Sequence, residues 1–281
     1  MDLSVLIVSW NTQGALRRCL AAPGLRVARE ILVIDNASQD DSAAMVREEF
    51  PTSRLIANET NRNYAAASNQ GLELAQGERV LLLNPDAIVP EGALETLVAC
   101  LEAHPAAVGV APLLVSPDGT PERSLRGFPT PLALVGEITG LARLFPSSSL
   151  GRYRPRALPT TACRVEQPMA SCLLLRTAAV RAIGGFDERF PLFFNDVDLC
   201  YRLIEAGGEI WFEPAVRVEH ESGASTKQIR ATAIRASHRG LRDFYRRHYR
   251  GRIWTPCYAV IQAAIAVSGG VRAALAGGGE G

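Results

Sequence analysis

The chain has 281 residues, with 30 lysines and arginines against 29 aspartates and glutamates, so its formal net charge is +1. This balance excludes a uniformly basic nucleic-acid coat and a uniformly acidic disordered chain. The average conceals a split, because residues 227–252 hold nine basic residues and one acid, a net +8, which leaves −7 for the rest. The sequence therefore predicts an acidic body with a basic C-terminal tail.

An apolar share of 47% and a charged share of 21% are typical of a globular protein, with room for one large α/β domain or two small ones. The six cysteines form no C-x-x-C pair, so reduced thiols in a cytosolic protein are expected rather than disulfides or a zinc site. No positive region precedes the first apolar run, so no signal peptide is expected. The 19 uncharged residues between Arg252 and Arg272 reach only the lower edge of a membrane span, which is not the favoured interpretation.

Apolar, β-branched runs alternate with helical patterns along the first part of the chain. Strands are predicted at 3–9, 30–35, 54–58, 79–83 and 107–111, and helices at 15–20, 40–50, 64–75 and 91–103. This alternation predicts an α/β fold, with a mainly parallel sheet and helices on both faces. Such sheets bind ligands outside the carboxyl ends of their strands, where Asp35 and Asp86 both fall.

The pattern loosens between residues 116 and 168. Recurring prolines and a run of serines predict a long variable loop region with one helix near 132–144. Order then returns, with strands predicted at 172–176 and 209–212 and helices at 177–183, 196–206 and 227–250.

The turn after the first strand, Ser9-Trp10-Asn11-Thr12, lacks the glycines of a G-x-G-x-x-G motif. This argues against a dinucleotide-binding Rossmann enzyme, in which those glycines let the backbone approach the pyrophosphate. The chain also has no G-x-x-x-x-G-K-[ST] motif, which disfavours a P-loop NTPase.

Three carboxylates stand where a reaction could use them. Asp35 could accept hydrogen bonds from a base or a ribose, and Asp86 could hold a hard divalent cation against a diphosphate. Asp196 opens a helix after an aromatic run, so apolar neighbours would raise its pKa and make it a better base, whereas the helix dipole would favour its anion. Each of them also has a plain interpretation as a turn or capping residue.

Two further residues have both interpretations. Asn63 lies where a left-handed turn would be convenient, and asparagine tolerates that conformation; simple turn chemistry is the alternative. His220 stands beside glycine and serines in a segment that could close on a phosphate, although a lone histidine is usually structural.

Six motifs in this order resemble the inverting glycosyltransferases of family 2, and most closely their bacterial rhamnosyltransferase-like branch: SVLIVSWN, VIDNASQDDS, NETNRNYAAASNQGL, LLLNPDA, GGFDERFPLFFNDVDLCYRL and VEHESGAS. The resemblance covers about residues 3–250. It implies a GT-A fold, a dTDP- or UDP-sugar donor (dTDP-rhamnose among them), a divalent cation (Mg²⁺ or Mn²⁺) and a single displacement with inversion. It also implies a catalytic domain at 1–226, with a nucleotide-sugar half at 1–111 and an acceptor half at 112–226, before a tail at 227–281.

The resemblance also implies roles for individual residues. Asp196 would be the general base, and Asp86 and His220 would bind the metal. The nucleotide-sugar would be held by Ser9, Trp10, Asn11, Asp35, Asn36, Asn63, Asn69, Asn84, Asp86, Ser225 and Lys227. The acceptor would be bound by Gly185, Phe186, Asp187 and Asp198.

Two asparagines depart from the family pattern. Asn84 stands at the first acid of the D-x-D element, and Asn195 stands at the glutamate of the usual Glu-Asp pair. They leave open a catalytically degenerate domain that serves as a sugar-nucleotide or glycan binding module. A sugar-nucleotide nucleotidyltransferase is disfavoured, because no glycine-rich basic loop follows the first strand.

The basic tail bears on partners. On a helix, one stripe beside an apolar stripe would hold Arg235, Arg239, Arg242, Arg246 and Arg250. Such a helix fits peripheral contact with an anionic membrane; a helix packed on the catalytic domain with a solvated arginine face is the alternative. The resemblance implies a saccharide or lipid-linked saccharide acceptor in bacterial cell-surface polysaccharide synthesis. The expected location is the cytoplasm, with peripheral contact at the inner face of the cell membrane, and no nucleic-acid partner is expected.

Overall fold

The computed structural model describes residues 1–155, 157–221 and 230–277, with side chains left undescribed in 230–235 and 268–277. The strands are β1 (Leu3–Ser9), β2 (Glu30–Asp35), β3 (Arg54–Ala57), β4 (Arg79–Leu83), β5 (Ala87–Ile88), β6 (Ala107–Val115), β7 (Leu125–Arg126), β8 (Cys163–Val165), β9 (Gln167–Pro168), β10 (Cys172–Arg176) and β11 (Glu209–His220). The helices are α1 (Gln13–Leu20), α2 (Ser42–Glu49), α3 (Asn63–Leu74), α4 (Ala93–Ala103), α5 (Pro131–Thr139), α6 (Leu141–Leu144), α7 (Thr177–Ala182), α8 (Asn195–Glu205), α9 (Arg230–His248) and α10 (Thr255–Gly277), with a 3₁₀ turn at Pro23–Val27.

The central sheet has the order β3-β2-β1-β4-β10-β6-β11-β5, with β8 paired to β11. Strands β3, β2, β1 and β4 are mutually parallel, as the alternation of strands and helices predicts. Strand β10 runs antiparallel to both β4 and β6, whereas β11 runs parallel to β6. Because β10 runs antiparallel to β6, it begins towards the end of the sheet where β6 finishes.

Side chains that alternate along each strand build two apolar layers. Val5 and Ile7 of β1 pack against α1, α2 and α4, whereas Leu6 and Val8 pack on the opposite face against α3 and α8. Both faces are covered, so the inner strands are apolar throughout, and β1 is buried along its whole length.

The C-terminal helices belong to the second of these layers. Phe244 and Tyr245 of α9 are fully buried in the same core cluster as Phe194 and Tyr201, and α10 packs along α9. The inner face of α9 therefore packs on the catalytic domain, as the alternative to membrane contact predicts. Among the residues that the structure describes, no helix has the length and hydropathy needed to cross a membrane.

Two sequence predictions are adjusted, and the one on the cysteines is not. The single helix expected near 132–144 is divided into α5 and α6 at Gly140, whose left-handed φ of 77° ends the first helix. Strand β11 continues to His220, so this histidine ends a strand rather than lying in a loop. The predicted free cysteines are confirmed, since all six are unpaired and four are buried.

Candidate active site

The turns after β1 and β2 are tied together at the carboxyl edge of the sheet. Asn11, at a positive φ of 53°, receives the backbone N–H of Gln39 on its side-chain oxygen at 2.7 Å. Its own N–H donates to the Ser38 hydroxyl at 2.9 Å. The Ser9 hydroxyl is engaged with that of Thr12 at 2.8 Å, whereas Trp10 is 44% exposed. Of these residues, Trp10 presents the free apolar surface on which a base could stack.

Asp35 and Asn36 lie buried at the end of β2. Asp35 Oδ2 accepts a hydrogen bond from the Ser38 N–H at 3.1 Å, while its Oδ1 is buried and accepts none from any described residue. A buried carboxylate oxygen left without a donor is costly unless a ligand supplies one. Asp35 is therefore poised to accept a hydrogen bond from a bound polar group.

Asn36 holds the segment that leads into α3. Its amide donates to Asn61 Oδ1 at 2.9 Å, and its oxygen accepts from the Arg62 N–H at 2.9 Å. Asn63 then adopts a φ of 63°, the left-handed conformation that the sequence predicts. The N–H of Tyr64 reaches the carbonyl of Pro191 at 3.0 Å, which joins this segment to the loop before α8.

Asn69 lies on the acceptor side of the site. Its Oδ1 accepts the Phe186 N–H at 2.8 Å, and its Nδ2 donates to the Phe186 carbonyl and to Glu188, both at 3.0 Å. The resemblance assigns Asn69 to the nucleotide, and in the structure its amide hydrogen-bonds the segment that the resemblance assigns to the acceptor. Gly185, at a φ of 70°, fits there because an added Cβ would lie 2.5 Å from Asn69 Oδ1.

The acceptor segment also carries a paired carboxylate. Asp187 receives three hydrogen bonds from the Arg189 side chain and lies 3.6 Å from Arg247 of α9. Burial alone would raise the pKa of Asp187, but the hydrogen bonds from Arg189 outweigh burial and lower it. Asp187 is thus held as an anion at neutral pH.

A histidine and two carboxylates meet just after β4 and at the end of β11. His220 Nε2 lies 3.4 Å from Asp86 Oδ1, and His220 Nδ1 lies 3.0 Å from Glu122 Oε2. Burial favours the neutral ring, but the two carboxylates outweigh it and raise the pKa of His220. The two residues that the resemblance assigns to a metal, Asp86 and His220, are therefore brought together.

Asn84 completes this end of the site. Its amide donates to the Ser171 hydroxyl at 3.0 Å and lies 3.5 Å from His220 Nε2. The Asn84 N–H also donates to the Ser171 carbonyl at 2.9 Å. The short segment before β10 is thereby fixed beside the candidate metal residues.

Asp196 lies at the other end of that segment, in the first turn of α8. Its Oδ2 accepts a hydrogen bond from Gln167 Nε2 at 3.1 Å, and its Oδ1 accepts the N–H of Val197 at 2.8 Å. The helix begins at Asn195 and its N-cap residue is Phe194, so Asp196 does not cap it. Burial raises the pKa of Asp196, and the backbone hydrogen bond and the charge of Arg126 only partly oppose this.

Phe194 stands at a positive φ of 69° just before this carboxylate. A bulky side chain is strained in that conformation, and such strain persists only where packing imposes it. Here the ring is buried against Phe244, and an added Cβ on Gly240 of α9 would lie 3.0 Å from it. Helix α9 therefore helps to fix the turn that presents Asp196.

Asp198 has a different environment from Asp196. It is fully buried, with Oδ2 accepting from Arg202 at 2.6 Å and Oδ1 lying 2.7 Å from His248 Nε2. Both oxygens are therefore used in a buried ionic contact between α8 and α9. This position favours a structural role over the acceptor contact implied by the resemblance, because no oxygen is left for a substrate.

Three residues of the site carry no readable sequence signal: Glu122, Gln167 and Ser171. All three come from the region after β6, where no motif stands out, whereas Asn61 lies in a quoted motif without an assigned role. Glu122 is placed by a bridge between Pro121 and Val115, and Gln167 by the pairing of β9 with β7. Ser225 and Lys227, assigned to the nucleotide-sugar, lie outside the described residues.

Comparison with known proteins decides the family. The sequence matches the family described as Glycosyl transferase family 2 over residues 4–161. It is also 30% identical to the N-acetylglucosaminyl-diphospho-decaprenol L-rhamnosyltransferase of Mycobacterium tuberculosis, over 94% of this chain and 91% of that protein. The chain belongs to glycosyltransferase family 2. This glycosyltransferase is rhamnosyltransferase-like within the family, as its six motifs indicate.

Solved structures confirm the fold of the glycosyltransferase. A mannosyltransferase from Pyrobaculum calidifontis, solved with GDP-mannose and Mn²⁺, superposes with a TM-score of 0.59 at 17% identity, covering 100% of this chain and 76% of that one. GalNAc-T7, solved with UDP, GalNAc and Mn²⁺, gives a TM-score of 0.58 at 17% identity, with 86% and 47% covered. The architecture is the GT-A fold.

Proposed function

We propose that this glycosyltransferase transfers a sugar, L-rhamnose in the first instance, from a nucleotide diphosphate to a lipid-linked saccharide, with inversion at the anomeric carbon. The observation that carries the proposal is the arrangement around 167–171. This segment contacts Asn84, beside the candidate metal residues, and Asp196, the candidate base. The donor diphosphate would thus bind near one end of this segment, beside Asn84, and the acceptor hydroxyl would bind near the other end, beside Asp196.

Asp196 is proposed as the general base. Its raised pKa makes it a stronger base than an ordinary aspartate, while the hydrogen bond from Gln167 keeps the anion accessible near neutral pH. The carboxylate takes the proton of the acceptor hydroxyl, whose oxygen forms a bond to the anomeric carbon. The bond from that carbon to the diphosphate breaks, and its electron pair leaves with the nucleotide diphosphate.

The nucleoside is proposed to lie over the turns after β1 and β2. Trp10 offers an exposed aromatic surface, and Asp35 Oδ1 is a buried acceptor that a base N–H or a ribose hydroxyl would satisfy. Asn36, bound to Asn61 and Arg62, fixes the wall of this pocket rather than presenting free groups.

A divalent cation fits the pair formed by Asp86 and His220. Asp86 Oδ1 is buried, receives no hydrogen bond from any described residue and faces an imidazole nitrogen, which together make an oxygen and a nitrogen donor. Glu122 on the other ring nitrogen is the partner that usually orients a ligating histidine. When bound, the cation would neutralise charge on the leaving diphosphate.

The described residues contain no group of three or more histidine, cysteine, aspartate or glutamate side chains that could hold a metal by themselves. Two protein ligands leave most of the coordination to other groups, as is common where a cation is held jointly with substrate phosphates. We therefore infer that tight cation binding requires the nucleotide diphosphate.

The proposed substrates follow from the Mycobacterium tuberculosis relative, whose name specifies an L-rhamnosyl transfer to N-acetylglucosaminyl-diphospho-decaprenol. Peripheral membrane contact would suit such an acceptor. On α10 and just before it, Trp254, Val260 and Val267 are exposed by 75%, 68% and 66%. These apolar side chains on one long helix are proposed to rest in the membrane interface, as amphipathic helices do.

The experiment is a donor panel. Purified protein is mixed with dTDP-rhamnose, dTDP-glucose, UDP-glucose or UDP-N-acetylglucosamine, with a prenyl-diphospho-N-acetylglucosamine acceptor and Mg²⁺ or Mn²⁺, and nucleotide diphosphate release is measured. The proposal expects turnover with dTDP-rhamnose and a product of inverted anomeric configuration. Turnover with another donor alone would overturn the rhamnosyl assignment, and binding of donors without turnover would favour the binding-module alternative.

A further inference from the structure

Two cavities lie side by side where α9 meets α10 and the acceptor segment. One, of about 660 Å³, is lined by Arg242, Arg246 and Arg250 together with residues at the start of α10. The other, of about 540 Å³, is lined by Arg189, Arg246, Arg247 and Arg250, with Asp243 as its carboxylate. They adjoin at Arg246 and Arg250, which line both. We call the two together the arginine groove, defined by Arg189, Arg242, Arg246, Arg247 and Arg250.

The groove holds more positive charge than its own carboxylates balance. Asp243 pairs with Arg246, and Asp187 serves both Arg189 and Arg247. In the described part of the chain, Arg242 and Arg250 form no ion pair with a carboxylate. No carboxylate therefore neutralises these two charges, although Arg242 Nε also donates to Gln262 Oε1 at 3.5 Å. A guanidinium presents paired N–H donors that match the oxygens of a phosphate.

Helix geometry adds to this charge imbalance. Arg242 and Arg246 are spaced four residues apart on α9, and Arg250 follows two residues after the helix ends, with all three lining the same depression. Like charges at this spacing destabilise a helix, and a bound polyanion would relieve the repulsion. These three arginines belong to the stripe for which the sequence suggests membrane contact. In the structure they line a concave surface suited to a discrete ligand.

The ends of the groove indicate which phosphate would occupy it. At one end Arg189 and Phe190 belong to the loop between the acceptor residue Asp187 and the base Asp196. At the other end Ile253 and Tyr258 line the wall, beyond which the exposed apolar face of α10 begins. A ligand with a sugar, then phosphates, then a hydrocarbon chain would meet the acceptor loop, the arginines and the apolar helix in that order.

We propose that the arginine groove binds the diphosphate of a lipid-linked acceptor, with the lipid chain leaving along α10. The inference rests on the proposed function for its acceptor class, but its test does not require turnover. Charge attraction also provides a reason for residues 227–252 to be basic in a chain whose remaining residues sum to −7.

The test compares Arg242→Gln/Arg250→Gln with a matched control, Arg26→Gln/Arg47→Gln, which removes two exposed arginines from the 3₁₀ turn at Pro23–Val27 and from α2. Binding of a short prenyl-diphospho-N-acetylglucosamine is measured in neutral detergent, and equal thermal unfolding midpoints establish that both variants fold. The groove variant should bind this probe roughly 10- to 100-fold more weakly than the parent, the effect of losing hydrogen bonds to a charged group. The control variant should bind it like the parent.

Two further arms identify the source of the phosphate. A prenyl N-acetylglucosamine without the diphosphate should bind parent and groove variant equally. Phosphatidylcholine vesicles with and without phosphatidylglycerol should also bind both alike. If the groove variant instead loses only its preference for phosphatidylglycerol vesicles, the groove binds the headgroups of bulk anionic lipid and the proposal is wrong. Unchanged binding of every probe by the groove variant would overturn the proposal as well. If the prenyl-diphospho-N-acetylglucosamine binds in an arginine-dependent way but no donor is turned over, the proposal for the arginine groove holds and the proposed function is wrong.

Discussion

The side-chain amide of Gln167 donates a hydrogen bond of 3.1 Å to Oδ2 of Asp196. Gln167 is itself buried in the short ribbon of β7 and β9, and this ribbon comes from the least regular region of the sequence. Burial raises the pKa of Asp196, and the contact from Gln167 stabilises the carboxylate form against that effect. Gln167, a residue with no motif of its own, thus hydrogen-bonds the candidate base directly.

Replacing Gln167 with leucine should narrow the pH range of activity. Without this donor the anion of Asp196 loses a hydrogen bond, so its pKa rises further and the base is protonated at higher pH. The acidic limb of the kcat/KM profile should move to higher pH, with a loss on the order of tenfold at its acidic end. Gln76→Leu, at an exposed position, should leave the limb unchanged; a limb that moves to lower pH in Gln167→Leu would contradict the account.

Glu122 should affect metal binding without touching the metal. Its carboxylate lies 3.0 Å from His220 Nδ1 and orients the ring whose other nitrogen faces Asp86. Glu122→Gln should weaken Mn²⁺ binding by about 10- to 100-fold, the usual effect of losing such a partner. The measurement is Mn²⁺ titration by electron paramagnetic resonance with dTDP present, and Glu95→Gln is the surface control. Equal affinity in Glu122→Gln and parent would remove Glu122 from the cation site.

Asp198 should matter for stability. Its carboxylate is fully buried between Arg202 and His248, and removing one partner of a buried ionic contact leaves the others uncompensated. Asp198→Asn should lower the free energy of unfolding by about 3–5 kcal/mol in urea titrations. Asp2→Asn, which weakens an exposed ion pair with Arg29, should cost no more than about 1 kcal/mol. If Asp198→Asn is as stable as the parent but has a raised KM for the acceptor, Asp198 contacts the acceptor and the structural role is wrong.

Gly184 and Gly185 form a matched pair of positions. Both have positive φ, at 78° and 70°, but an added Cβ meets nothing within 4 Å at Gly184 and lies 2.5 Å from Asn69 Oδ1 at Gly185. Gly184→Ala should cost only the left-handed strain, about 1–2 kcal/mol. Gly185→Ala should cost more and raise the KM for acceptor, because Asn69 must release Phe186. Equal unfolding free energies and equal KM values in the two variants would exclude the clash as a constraint.

Local patterns were sufficient to predict the first half of the fold and much of the site. The apolar runs of β1, β2 and β4 each end at a polar turn, so Asn11, Asp35 and Asp86 could be placed at one edge from parallel pairing alone. The left-handed turn at Asn63 could be predicted from residue chemistry, because few side chains tolerate that conformation.

Long-range pairing could not be predicted in this way. Strand β10 pairs antiparallel with β4, and this pairing brings Ser171 beside Asn84. The pairing depends on where an irregular segment of about fifty residues rejoins the sheet, and no local sequence preference encodes that position. Asp196 and Asp198 are two residues apart and share one helical turn, yet they face different partners. The packing of α9 on α8 is what gives Asp198 its buried ionic contact and so distinguishes it from Asp196, the candidate base.

The central claim is that Asp196 deprotonates the acceptor hydroxyl in a sugar transfer. The most direct measurement is the single-turnover rate of Asp196→Asn with donor and acceptor saturating, beside Asp118→Asn in an exposed turn as control. We predict a rate lower by roughly 10²–10⁴-fold for Asp196→Asn, with donor binding unchanged and an unfolding midpoint at neutral pH no lower than the parent's, since burial disfavours its carboxylate. A variant that keeps the parental rate would contradict the assignment of the base.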